Sequence, residues 1–258
     1  PDLFKPLPAE PPPVKPWRPR PLENHEWADR DYIGLYKWRV DMLAKLRADP
    51  DMLTDAKAYY AKHPKEFICH WLDTYNPRLK RSKWVPFVLF RRQADFIDFL
   101  EELRRDNESG LVEKCRDVGA SWLGCAYSVW TFSFIKDDAT GWGSRKEDLV
   151  DKRGDPDSLF EKMRLLINRM PDVFRPPAGH AFMKLVNKEN GATVTGEAGD
   201  NLGRGGRKSR YFVDESAHIE RAELIEASLG DNTEVRIDMS SVNGTGNMFH
   251  RRREAGIV

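Results

Sequence analysis

The chain has 258 residues, of which 40% are hydrophobic, so it is long enough to build a sizeable core in one large domain or two small ones. Charged residues make up 32% and nearly cancel, and the formal net charge of +1 gives no indication of a polyanionic partner. Three unpatterned cysteines exclude a disulfide framework or zinc site, and no apolar run reaches the roughly 18 residues that span a bilayer. We therefore expect a cytoplasmic protein with no membrane partner.

Local composition divides the chain into three parts. Residues 1–22 hold nine prolines, which favours an extended arm over residues 1–28. Residues 29–85 are predicted to be a helical segment, and residues 86–258 are predicted to be a separate core. In that core, short β-prone runs alternate with helical runs, which predicts an α/β fold with a mainly parallel sheet flanked by helices.

The predicted elements follow from hydrophobic spacing and proline breaks. In the helical segment, helices are predicted over residues 32–46, 52–63 and 65–75. In the core, strands are predicted over residues 110–115, 140–143, 183–188, 192–197, 210–215 and 234–241, and helices over 121–135, 157–170 and 220–229. The sheet should hold its ligands at the carboxyl ends of its strands.

The stretch "VEKCRDVGASWLGC" follows a predicted strand and opens a predicted helix, which is the context of a phosphate-binding loop. Gly119-Ala120-Ser121 has the spacing of the Gly-Lys-Ser/Thr that closes such a loop, but Ala120 stands in place of the lysine. Lys114 at the loop's start, or Arg116, would supply the displaced cation, and Ser121 would ligate Mg²⁺. Alone, the stretch is better explained as an ordinary strand–turn–helix connection.

A second motif is the pair Asp214-Glu215, which follows the apolar strand "RYFV". A carboxylate can hold Mg²⁺ while its neighbour orients and deprotonates an attacking water, so Asp214 is predicted as the metal ligand and Glu215 as the base. The alternative is that these acids, with Ser216, merely cap a helix. Together with the loop, the pair favours a nucleoside triphosphatase.

A third motif follows the strand over residues 234–241. Asn243 would lie beside the other two motifs and could contact the γ-phosphate or the attacking water. Its alternative interpretation is an Asn-Gly turn with no chemical role.

These motifs, in this order, resemble those of the ATPase domain of large terminase subunits, the motors that package DNA into the capsids of tailed phages and related viruses. The resemblance extends over residues 67–255. It includes "PFVLFRRQADF", in which Phe90 and Gln93 resemble the family's adenine-binding segment, and the second-strand region "GWGSRKEDLVD". "KCRDVGAS" resembles its deviant Walker A loop, "LGRGGRKSRYFVDESAH" its Walker B strand and "SSVNGTGNMFHRRREAG" its coupling motif.

The resemblance implies a P-loop NTPase core that uses ATP and Mg²⁺. Lys114 or Arg116 would bind the phosphates beside Gly119 and Ala120 of the loop, and Ser121 and Asp214 would bind Mg²⁺. Glu215 would act in catalysis and Asn243 in coupling. Arg204 is the first candidate for an arginine finger, and Arg145 is the second. The implied partners are double-stranded DNA, a small terminase subunit, and further copies of the chain in a ring on the capsid portal. Large terminases carry a nuclease domain after the ATPase domain, and we expect no nuclease activity from these 258 residues.

Two other functional classes remain open. A helicase-like translocase would share the three motifs, although it would need a second similar α/β domain. A DNA-binding module without hydrolysis would explain three basic runs, at residues 78–83, 204–210 and 251–253, but it would leave the loop and the acidic pair without a role.

Overall fold

The structure, a computed structural model, describes residues 32–256, so the predicted proline-rich arm lies outside the described residues. The helices are α1 (Tyr32–Ala48), α2 (Pro50–Tyr60), α3 (Pro64–Trp71), α4 (Arg91–Asp106), α5 (Ala120–Phe134), α6 (Glu147–Val150), α7 (Leu159–Arg169), α8 (Ala222–Asn232) and α9 (Met248–Glu254). The strands are β1 (Asp73–Tyr75), β2 (Trp84–Pro86), β3 (Gly110–Glu113), β4 (Ala139–Ser144), β5 (Ala178–Ala181), β6 (Lys184–Asn187), β7 (Thr193–Ala198), β8 (Arg210–Asp214) and β9 (Arg236–Ser240).

The main sheet has seven strands in the order β3-β9-β8-β4-β7-β6-β5. The first five are parallel to one another, and β6 and β5 continue the sheet in antiparallel pairing. The predicted mainly parallel α/β fold is therefore confirmed. Because β3, β9 and β8 are adjacent and parallel, the segments that follow them emerge side by side at the carboxyl edge of the sheet.

Helix α5 is buried along nearly its whole length and packs against the sheet. Gly124 permits this approach, since a Cβ there would lie 2.8 Å from the ring of Trp142 on β4. Trp142 stacks on Phe212 of β8 at 4.5 Å between ring centroids and donates a hydrogen bond from Nε1 to Ser128 Oγ at 3.0 Å. These contacts fix the start of α5 relative to the end of β8.

The helical segment packs into the same hydrophobic cluster as α5 and α7. The boundary at residues 85 and 86 stays a prediction. None of the helices within residues 32–256 is long and apolar enough to cross a membrane.

One predicted element is wrong in part. The helix expected over residues 65–75 ends at Trp71, and Asp73–Tyr75 instead forms β1, paired antiparallel with β2. The cause is Arg39 on α1, which binds the carboxylate of Asp73 at 2.8 Å and the carbonyl of Leu72 at 2.9 Å. These contacts hold the chain extended where its hydrophobic spacing alone predicts a helix.

Strands β4 and β8 are joined at the amino edge of the sheet by a buried ion pair. The Arg210 guanidinium binds both carboxylate oxygens of Asp138, at 2.7 and 2.9 Å, and also donates to Thr140 Oγ1 at 3.1 Å. Both charged side chains are almost completely buried. Removing one member of such a pair leaves the other charge buried without a partner.

We therefore expect Arg210→Met to lower the free energy of unfolding by about 3–5 kcal/mol, measured by urea denaturation. The matched control is Arg47→Met, which breaks the exposed ion pair to Asp172 and should change stability little. Equal stabilities of the two variants would contradict this account of the Arg210 pair.

Candidate active site

The loop that joins β3 to α5 comprises residues 114–119. Gly119 precedes α5 with a φ of +81°, a left-handed conformation that favours glycine, and the unpaired N–H groups of the first turn of α5 follow it. Ala120, the first residue of α5, is buried. The position where a phosphate loop usually carries its lysine is thus occupied by a buried methyl group, which offers nothing that could bind a phosphate.

The residues that resemble an adenine-binding segment lie beside this loop, at the start of α4. The side chain of Gln93 accepts a hydrogen bond from the Phe90 N–H at 3.0 Å and donates one to the Val118 carbonyl at 3.1 Å. Gln93 thus ties α4 to the loop, while the ring of Phe90 is exposed next to it.

Lys114 reaches from the loop to the acidic pair after β8. Its ammonium lies 3.0 Å from Glu215 Oε1 and 3.5 Å from Asp214 Oδ1, and its backbone N–H donates to the Ser240 carbonyl at the end of β9 at 2.9 Å. Burial lowers the pKa of Lys114, but the two carboxylates outweigh burial and hold the pKa above its ordinary value. The ammonium is therefore charged at neutral pH.

Arg116, the alternative cation, is exposed, and its side chain has no hydrogen bond or ion pair within residues 32–256. The structure thus brings Lys114, but not Arg116, into contact with the acidic pair.

Asp214 lies at the centre of the site and is buried. Its Oδ2 accepts a hydrogen bond from the Ser121 hydroxyl at 2.8 Å, whereas its buried Oδ1 accepts no hydrogen bond among the described residues and has only the Lys114 ammonium near it, at 3.5 Å. Burial raises the pKa of Asp214, although Lys114 and the Ser121 hydroxyl oppose the shift. A hydroxyl next to a carboxylate with an unsatisfied oxygen fits Mg²⁺, which prefers oxygen ligands and takes few of them from the protein.

Glu215 has a φ of +57°, which is uncommon for any residue other than glycine. It begins a short 3-10 turn over residues 216–218, and this turn returns His218 towards the Glu215 side chain. His218 Nε2 lies 3.6 Å from Glu215 Oε2 and 3.2 Å from the Ser241 hydroxyl. The Glu215 carboxylate is thus held between Lys114 and His218. His218 is not among the residues predicted from the sequence, where its only signal is its spacing of three residues from Glu215.

The segment after β9 is bonded to the same 3-10 turn. Asn243 Nδ2 donates to the Ala217 carbonyl at 3.0 Å, and the Ser240 hydroxyl accepts from the Ala217 N–H at 3.1 Å. Asn243 therefore lies beside the residues that follow Glu215, in a place from which it could report a change at Glu215 to α9.

Neither of the two candidate arginine fingers makes a direct contact with this cluster among the described residues. Both side chains are exposed, and neither has an ion pair or hydrogen bond within residues 32–256. Arg204 lies in a loop whose Gly203 carbonyl accepts a hydrogen bond from Asn232, the last residue of α8, and whose Gly203 and Gly205 N–H groups donate to the Glu197 carboxylate on β7. Arg145 directly follows β4, so it lies at the carboxyl edge next to the end of β8.

No family model and no curated protein sequence matches the chain. Among solved structures, the HK97 bacteriophage large terminase matches with a TM-score of 0.55 and 14% identity, over 76% of this chain and 42% of that protein. The Thermus phage P74-26 large terminase ATPase domain matches at 0.43 and 17%, over 56% of this chain and 63% of that one. The large terminase of a thermophilic bacteriophage, in complex with ADP, matches at 0.42 and 12%, over 58% of this chain and 38% of that protein.

The HK97 likeness confirms, at the level of fold, the terminase resemblance found in the sequence. At this low identity it shows the fold, and the chain spans about two fifths of the length of the HK97 protein. The chain has the mainly parallel α/β fold of a phage large terminase.

Proposed function

We propose that the chain is the ATPase domain of a viral DNA-packaging motor and hydrolyses ATP at the carboxyl edge of its sheet. The observation that carries the proposal is the joining of Lys114, Ser121, Asp214 and Glu215 in one cluster of direct contacts beside the start of α5. The cluster combines a cation, a hydroxyl, a buried carboxylate and a second, partly exposed carboxylate, which are the groups that phosphoryl transfer to water requires.

Each residue in the cluster has a distinct task. The N–H groups at the start of α5 and the ammonium of Lys114 bind the phosphates, and Lys114 follows the charge that develops on the γ-phosphate. Glu215, which His218 and Lys114 orient, accepts a proton from the attacking water. Ser121 and Asp214 would hold Mg²⁺, which neutralises phosphate charge when it is bound.

Lys114 has two kinds of anionic partner in this scheme. Its ammonium contacts the Glu215 carboxylate, and a bound triphosphate would compete for the same ammonium. Transfer of Lys114 to the phosphates would release the Glu215 carboxylate from this contact, so that it can accept a hydrogen bond from the attacking water. The loop cation would thus limit proton abstraction to the nucleotide-bound site.

The partners of the proposed motor follow from the terminase resemblance and the shared fold. They are double-stranded DNA, further copies of the chain in a ring on the capsid portal, and a small terminase subunit, in the cytoplasm of an infected cell. In a ring, an exposed arginine at the carboxyl edge can reach a neighbouring site. The placement of Arg145 after β4 favours it over Arg204 as the finger, which reverses the order expected from the sequence.

The first test concerns the base. Glu215→Gln keeps the shape of the side chain and removes its basicity, so ATP binding should persist while turnover falls by roughly 10²–10⁴-fold. Binding is measured by calorimetry and turnover by phosphate release. Glu220→Gln, which alters an exposed acid on the same segment, is the control and should leave both unchanged. Wild-type turnover in Glu215→Gln would refute the assignment.

The second test compares the two loop cations. A charge-assisted contact contributes about 1.5–3 kcal/mol, so loss of the phosphate contact should weaken ATP binding roughly tenfold to a hundredfold. We expect this loss, and the larger fall in turnover, in Lys114→Ala, and a smaller effect in Arg116→Ala because that side chain is exposed and unpaired within residues 32–256. Normal binding and hydrolysis in both variants would mean that residues 114–121 are not a phosphate loop.

The third test asks whether the finger acts between subunits. Arg145→Ala and Glu215→Gln should each be nearly inactive, since arginine fingers contribute about 10³–10⁵ in rate where they have been measured. When the two proteins are mixed at high concentration, some interfaces combine an intact Glu215 with an intact Arg145, and turnover should partly recover. The same mixing is done with Arg204→Ala and Glu215→Gln. If turnover recovers in that mixture, while the Arg145→Ala mixture shows only the sum of the two separate activities, the finger is Arg204.

A further inference from the structure

The structure separates the three basic runs by what their side chains contact. The run at residues 251–253, on α9, is fully engaged by acids of this chain, and none of its cations is unpaired. The ion pairs are Arg251–Glu223 at 2.9 Å, Arg252–Glu226 at 3.0 Å and Arg253–Glu113 at 2.9 Å. This run fastens α9 to α8 and β3.

The run at residues 204–210 is engaged in part. Arg210 is buried against Asp138, and the Lys208 ammonium donates to the Gly205 carbonyl at 3.0 Å. Two exposed arginines remain, Arg204 and Arg207, in a loop that is hydrogen-bonded to the end of α8 and to Glu197 on β7 and that has no contact with the phosphate loop among the described residues.

The run at residues 78–83 lies in the connection between β1 and β2, which we call the basic hairpin loop (residues 76–83). All eight of its residues are exposed, and it contains four cations and no acid. Within residues 32–256, three of these cations have no hydrogen bond or ion pair from their side chains: Lys80, Arg81 and Lys83. It is therefore the basic run whose charge is most available to a partner.

The base of this hairpin is held firmly beside the phosphate loop. Tyr75 and Trp84 pack across the two strands with ring centroids 5.2 Å apart, and the Arg169 guanidinium lies 4.4 Å from the Trp84 ring. Trp84 also meets the edge of Trp122, in the first turn of α5, at 6.2 Å. The strands that carry the basic hairpin loop are thus packed in place next to the start of α5.

One contact joins the basic hairpin loop directly to the phosphate loop. Arg78 Nη2 lies 2.7 Å from Asp117 Oδ2, and Asp117 has a left-handed φ of +67°. Both side chains are largely exposed, so the pair contributes little to stability and a stronger anionic partner can replace it. Asp117 lies between Lys114 and Gly119, so a change in its contacts alters the segment that binds phosphate.

We propose that the basic hairpin loop binds the phosphate backbone of double-stranded DNA and that Arg78 couples this contact to the nucleotide site. Lys80, Arg81 and Lys83 contact backbone phosphates, and a DNA phosphate competes with Asp117 for Arg78. When a DNA phosphate binds Arg78, the ion pair between Arg78 and Asp117 of the phosphate loop is broken, and the affinity for ATP changes. The inference rests on the proposed function for the presence of DNA and adds where DNA is held and how its presence reaches the site.

The contact between the basic hairpin loop and DNA is tested with the full chain and a fluorescently labelled, random-sequence duplex. Fluorescence anisotropy measures the affinity over a series of salt concentrations. The variant Lys80→Ala/Arg81→Ala/Lys83→Ala removes three cations. The control Lys45→Ala/Lys57→Ala/Lys62→Ala removes three lysines from α1, α2 and the turn that follows α2. Each lost phosphate contact should reduce the slope of log affinity against log salt by roughly 0.9, so the hairpin variant should lose about two to three units of slope.

We expect at least about tenfold weaker DNA binding in the hairpin variant and unchanged binding in the control, because the counterion release that drives binding depends on the cations that touch phosphate. A hairpin variant with the affinity and slope of the control would overturn the proposal. Circular dichroism of both variants checks that a loss of binding is not a loss of folding.

The coupling is tested through linkage. If DNA changes the affinity for ATP by some factor, ATP must change the affinity for DNA by the same factor, so DNA anisotropy with and without Mg·ATP, in the Glu215→Gln background, measures the coupling. Asp117→Asn removes the partner of Arg78, and Arg78→Ala removes the link from the other side, so the factor should approach one in both variants. A factor unchanged in both would overturn the role of Arg78.

These readouts separate the inference from the function on which it rests. Anisotropy does not require hydrolysis, so loss of DNA affinity in the hairpin variant supports the contact even if Glu215→Gln hydrolyses ATP like the wild type and the proposed ATPase fails. Conversely, a hairpin variant that binds DNA normally leaves the ATPase proposal intact.

Discussion

The site depends on one electrostatic arrangement, the ammonium of Lys114 beside the carboxylates of Asp214 and Glu215. Two adjacent carboxylates, one of them buried, repel each other unless a cation lies close to both. That cation comes from a loop about a hundred residues earlier in the chain, and it reaches the acids because β3 and β8 are parallel and both border β9. The site therefore depends on the sheet topology, since parallel strands bring the segments that follow β3 and β8 to the same edge.

This constraint explains which parts of the molecule could be predicted from sequence. Three local patterns follow three strands: a glycine-serine turn after β3, an acidic pair at the end of β8 and an asparagine after β9. A parallel sheet brings the ends of these strands to one edge. The choice between Lys114 and Arg116 was not open to sequence analysis, because it depends on which side chain turns towards β8. Likewise, β1 was mistaken for the end of α3, since the side chain that extends it, Arg39, lies 34 residues before Asp73. Helix α4 was missed although its buried residues recur at helical spacing.

The basic runs also show that a local sequence pattern does not reveal the contacts that residues make with distant parts of the chain. Three consecutive arginines on α9 have the composition of a polyanion-binding patch, yet their partners are carboxylates on β3 and α8, far away in the chain. Within residues 32–256, the side chains of Lys80, Arg81 and Lys83 have no such partners. A charge run therefore acquires meaning only when the acids that the fold brings to it are known. In this protein, the basic run at residues 251–253 is paired with acids of the chain itself, whereas the basic run at residues 78–83 is exposed.

The burial of Ala120 has a consequence for how such a loop can evolve. An Ala120→Lys substitution would place an ammonium where the start of α5 packs inward, so it would be penalised by desolvation. Loss of Lys114 beforehand would leave the two carboxylates without their cation. Each of these two substitutions is unfavourable by itself. A loop with its lysine at position 120 instead of 114 would therefore require a simultaneous change in packing and charge.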